Sequence, residues 1–76
     1  MKKLKKLQDR IIRYLETRGA KQIPSKSRNF IALQLRDTTY FVGKKGAVRR
    51  GRIASKSISV TGRIQYLMEE WEENND

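Results

Sequence analysis

The sequence predicts an α+β fold: a two-layer sandwich of order α-β-β-β-α, with a three-stranded antiparallel sheet carrying two helices on one face. Three observations predict it. Apolar residues recur at steps of three and four near the start, the period changes to two from Arg28, and a second helical stripe follows Thr61. At 76 residues the chain fits one small domain, expected over residues 1–71, with an acidic disordered tail over residues 72–76.

Leu4, Leu7, Ile11 and Leu15 place one apolar stripe on a helix expected from Lys2 to Arg18. Gly19 suits the left-handed position after a helix end, and Pro24 bars continuation, so Lys21 to Ser27 reads as a polar connector. Ile31, Leu33 and Leu35 then share one face of a strand, and Phe30, Ala32, Gln34 and Arg36 the other. Asp37, Thr38 and Thr39 are the expected turn into a short strand at Tyr40, Phe41 and Val42. Gly43-Lys44-Lys45-Gly46 reads as a hairpin turn into a third strand, Ala47 to Arg50, with a bulge near Gly51 bringing Val48 and Ile53 into one pattern. Ala54 to Val60 reads equally as loop or as a short final strand. Thr61 is the expected N-cap of a last helix whose stripe is Ile64, Leu67, Met68 and Trp71. Glutamates after Met68 oppose the helix dipole, so fraying is expected beyond Trp71.

This order of elements, from Leu4 to Trp71, resembles double-stranded-RNA-binding domains and the HicA-type mRNA interferase toxins built on that fold. Ala54-Ser55-Lys56-Ser57 is similar to the Ser-Lys-rich segment that such RNA-binding domains place before their last helix. The interferases carry Gly-Ser-His at the entry to the first strand, where this chain has Lys26-Ser27-Arg28. The resemblance therefore implies RNA binding without the catalytic histidine.

Charge is the strongest functional signal. Eighteen Lys and Arg against eight Asp and Glu give +10, an excess that repels itself unless a polyanion answers it. It is also unevenly placed: residues 1–63 hold all eighteen cations and three acids, a net +15, whereas residues 64–76 hold five acids and no cation, a net −5. Lys44, Lys45, Arg49, Arg50, Arg52 and Lys56 fall in one acid-free stretch, on what reads as a protruding basic ribbon suited to phosphates. Lys6, Arg10 and Arg13 line the first helix beside its apolar stripe, and Arg63 opens the last. There Ser55, Lys56, Ser57, Ser59 and Thr61 offer hydroxyls and a cation near free N–H groups. Tyr40, Phe41 and Phe30 are candidate stacking platforms, although core packing is the expected role for most aromatics in so small a domain. One of Phe30 and Phe41 is expected to face away from the helices.

With no cysteine and no histidine, disulfides, thiolate chemistry, the commonest general base and the commonest transition-metal ligand are absent. Asp9, Glu16 and Asp37 are too scattered to hold a catalytic metal, so neither enzyme activity nor a cofactor is expected. The longest wholly apolar run, Phe30 to Leu33, is far short of a membrane span, and a cytoplasmic location is expected. The expected function is nucleic-acid binding, RNA ahead of DNA. Its rival is a small mobile-element regulator or inhibitor that docks on an acidic surface of a partner protein or nucleoprotein complex. Oligomeric state is left open.

Overall fold

The computed structural model describes residues 6–25, 28–52 and 56–75. Its elements are α1 (Leu7–Thr17), β1 (Lys21–Ile23), β2 (Phe30–Leu35), β3 (Thr38–Gly43), β4 (Val48–Arg50), β5 (Ile58–Ser59) and α2 (Thr61–Asn74). The strands form one antiparallel sheet in chain order, β1-β2-β3-β4-β5.

Helix α1 ends as its sequence dictates. Gly19 takes φ +104, its N–H donates to Glu16 O at 3.0 Å, and the Ala20 N–H donates to Leu15 O at 3.0 Å. That is the paired closure of a Schellman motif, and buried Ala20 and Leu15 supply the apolar contact that accompanies it. The expected start of the helix, before Lys6, lies outside the described residues.

The sheet has five strands rather than three. Lys21–Ile23, expected as connector, pairs with β2 through Lys21↔Gln34, Gln22↔Leu33 and Ile23↔Ala32. At the other edge Arg49 pairs with Ser59 and Arg50 with Ile58. Both added strands are short and mostly exposed, as edge strands tend to be. They exist because the backbone groups of β2 and β4 take partners; β5 is the short final strand that was one of the two readings of Ala54 to Val60, whereas nothing in the side-chain pattern of Lys21–Ile23 marks β1.

The turn between β2 and β3 also moves. Leu35 already pairs with Thr38, so Arg36 and Asp37 alone make the connection, and Arg36 adopts φ 57, an uncommon conformation for a residue with a Cβ. Thr38 and Thr39 belong to the strand. Gly51 continues the ladder by donating to Thr39 O at 3.0 Å. Ile53, whose parity called for a bulge, lies outside the described residues.

One face of the sheet and both helices share the core. Ile11, Ile12, Tyr14 and Leu15 of α1 meet Leu33, Val42 and Val48 of the sheet and Ile64 and Met68 of α2. The opposite face carries Ala32, Phe41 and Phe30, so both phenylalanines lie away from the helices, Phe41 buried and Phe30 partly so. Helix α2 continues to Asn74, three residues beyond the expected end of the domain at Trp71.

The β3–β4 turn rests directly on α1. Gly46 takes φ +96, and a Cβ there would lie 2.3 Å from Leu7 Cδ2 and 2.7 Å from Leu7 Cγ. Gly46→Ala is therefore expected to destabilise the fold by about 1–3 kcal/mol, combining backbone strain with displacement of Leu7. Gly62, helical with nothing within 4 Å of such a Cβ, is the control: Gly62→Ala should stabilise by up to about 1 kcal/mol. Urea denaturation of the two variants checks both signs.

Candidate nucleic-acid interface

The basic ribbon of the sequence analysis is a hairpin, but it does not protrude. Strands β3 and β4 occupy the third and fourth places of the five-stranded sheet, and their turn is held to both helices. Gln8 Nε2 donates to Val42 O at 3.1 Å, and Gln65 Nε2 donates to Gly46 O at 3.0 Å. Lys44 and Lys45 stand exposed at the turn.

Alternation then sends the two arginines of β4 to opposite faces. Val48 is fully buried against the helices, so Arg49 points to the far face and Arg50 to the helix face. Arg49 is half-buried there and donates through Nε to Ser57 Oγ at 2.7 Å and through Nη2 to Ser57 O. Arg50 is exposed and comes to the end of the domain where α1 finishes and α2 begins.

That end holds a cleft of about 220 Å³. Leu15, Leu35, Val60, Ile64 and Leu67 give it an apolar lining, Tyr14 and Tyr40 stand in its walls, and Arg18, Arg50 and Arg63 rim it. A neighbouring depression of about 250 Å³ shares Arg18, Leu35 and Tyr40 and adds Arg36 and Thr38. Four arginines thus border one trough, and no acid is among the residues that line it. Among the described residues, the side chains of Arg18, Arg50 and Arg63 make no hydrogen bond or ion pair.

The other candidates are dispersed. Arg52 and Lys56 are exposed on either side of residues 53–55, which are not described, so the Ser-Lys segment is only partly in view. Lys6 is exposed at the N-cap of α1. Arg10 forms a fork with Glu72 of α2, Nη2 to Oε1 at 2.6 Å and Nε to Oε2 at 3.0 Å, which occupies its charge within the protein. Arg13 lies over the Trp71 ring, 5.8 Å from its centroid. Trp71 in turn sits 6.1 Å from the Tyr14 ring.

The hydroxyls at the helix entry are also engaged. Thr61 is the first residue of α2 rather than its cap; Val60 is the N-cap. The Thr61 hydroxyl accepts the Val48 N–H at 2.9 Å, extending the β4 edge, and lies 3.3 Å from Ser59 Oγ. Ser57 is taken by Arg49. These groups serve the sheet edge, leaving Arg63 as the part of the expected phosphate clamp that faces the trough.

Arg18 and Arg36 were missing from the sequence-based set. Arg18 follows Tyr14 by four residues, a helical spacing that places both on one side of α1, and Arg50 shares parity with the core residue Val48. Only the packing of α1 against the sheet joins those two local signals into one site.

The Arg10–Glu72 fork has a pH signature. Hydrogen bonding from the Arg10 guanidinium holds the Glu72 carboxyl below its ordinary value, with the Arg10 and Arg13 charges adding to the shift against opposing desolvation. A lowered folded-state value means a contribution present above the unfolded carboxylate value and lost as pH falls through the folded one. Because both side chains are about one-third exposed, Glu72→Gln should cost only about 0.5–1 kcal/mol at neutral pH. The difference from the parent protein should shrink in urea denaturation as pH falls below the ordinary carboxylate range. Compared with known proteins, the chain matches no family profile, no curated sequence and no solved structure.

Proposed function

We propose that this protein is a small nucleic-acid-binding module that holds phosphates through its unpaired lysines and arginines, with no catalytic step of its own. The observation that carries the reading is charge without internal compensation. The chain bears +10, yet among the described residues one ion pair, Arg10–Glu72, is formed. A surplus left open in this way costs self-repulsion that a polyanion relieves, and release of the polyanion's counterions drives association. The cations lie on more than one face, with the arginine trough at one end, Lys44 and Lys45 at the hairpin turn, and Arg52 and Lys56 beyond β4. RNA and DNA both present the phosphates this reading needs, and the absence of histidine supports binding without hydrolysis.

Four to six phosphate contacts on a duplex predict a log–log salt slope of about −4 to −5. Fluorescence anisotropy with single-stranded RNA, duplex RNA and duplex DNA over a range of salt concentrations measures it. Absence of binding to all three at micromolar protein in low salt would overturn the reading and point instead to an acidic protein surface as the partner.

A further inference from the structure

The cleft rimmed by Arg18, Arg50 and Arg63 combines two chemistries that one simple ligand does not match. An inorganic anion would answer the guanidinium groups and leave the partly exposed side chains of Leu35, Val60 and Leu67 in the lining facing water. An apolar group would fill the lining and leave three convergent cations without a counter-charge. The volume, about 220 Å³, is below the ~300–1,000 Å³ usual for small-molecule pockets, so the guest is a single ring-sized group. A duplex keeps its base faces stacked inside; the phosphates, sugars and base edges it presents can reach the arginine rim but put no planar ring into the cleft. An unpaired nucleotide carries both parts: a planar ring able to lie against Tyr40 and the apolar lining, and a phosphate that arginine binds through two parallel hydrogen bonds.

We infer that this cleft takes one unpaired nucleotide of a nucleic-acid strand, base inward and phosphate at Arg18, Arg50 and Arg63. The neighbouring depression bordered by Arg36 then receives the next phosphate along the strand. Unpaired nucleotides occur at loops, bulges and ends, so the site gives the module a preference for such places over regular duplex. The inference deepens the nucleic-acid reading and rests on it.

The test compares two variants of the full chain with equal charge change, Arg50→Gln with Arg63→Gln and Lys44→Gln with Lys45→Gln, all at exposed positions. Anisotropy is read with a labelled oligouridylate and with a blunt RNA duplex of similar length. The cleft pair should lower single-strand affinity at least about tenfold more than the turn pair, because it removes bidentate contacts as well as charge. On the duplex the two pairs should lose affinity alike. Equal losses on the single strand would overturn the inference while leaving nucleic-acid binding in place, and no binding of the parent protein to either probe would overturn both. A second readout avoids the variants: titrating the parent protein with uridine monophosphate should shift the amide resonances of Leu15, Leu35 and Leu67. Shifts confined to residues 43–47 would contradict the assignment.

Discussion

Val42 and Val48, fully buried and directly opposite one another, are the contact on which the rest of the molecule depends. Around them the sheet and both helices meet. Gln8 of α1 reaches the Val42 carbonyl, and the Val60 N–H and Thr61 hydroxyl at the start of α2 bind the Val48 backbone. Each helix is thereby located by a polar contact to the same strand pair that its apolar stripe covers. The register of this pair also sets every other side chain of the hairpin, since a slip by one residue would exchange the two faces. With Val48 inward, Arg50 must lie on the helix face and Arg49 on the other. The trough at the end of the domain follows from that parity together with the adjacent ends of α1 and α2.

The parts legible in the sequence were those with strong periodicity. The α1 stripe from Leu7 on, its closure at Gly19, the alternation in β2 and the α2 stripe all appear as expected because burial of one face leaves a repeating mark. The edge strands left little: β1 none, and β5 only an alternation over Ala54 to Val60 that reads equally as loop. Lys21, Gln22, Ile58 and Ser59 are exposed, and their pairing satisfies backbone groups whatever side chains they carry. Thr61 illustrates a related limit: a threonine before an apolar run reads as a cap, yet its hydroxyl serves the β4 edge. The C-terminal glutamates were read by their conflict with the helix dipole, a weak effect, whereas the fork from Arg10 and the ring of Trp71 against Tyr14 tie that end of α2 to α1.

For the cationic residues, local density along the chain proved a poor guide to grouping in space. The acid-free stretch from Lys44 to Lys56 divides among the turn, both faces of the sheet and the approach to β5. Arg10 of α1, expected among the phosphate ligands, has an internal partner. The arginines that do converge, Arg18, Arg36, Arg50 and Arg63, come from four separate segments brought to one end by the sheet order and the helix ends. An arginine cluster assembled from distant segments holds its geometry through the fold, which is the pre-organisation a phosphate site needs.

Mapping a photo-crosslink tests the central claim most directly. An oligonucleotide carrying 5-iodouridine, irradiated with the full chain and digested for mass spectrometry, reports which side chain touches the base. The account predicts attachment at Tyr40 or Tyr14, within the trough. Attachment at Phe30 on the opposite face of the sheet, or at residues of the β3–β4 turn, would contradict it.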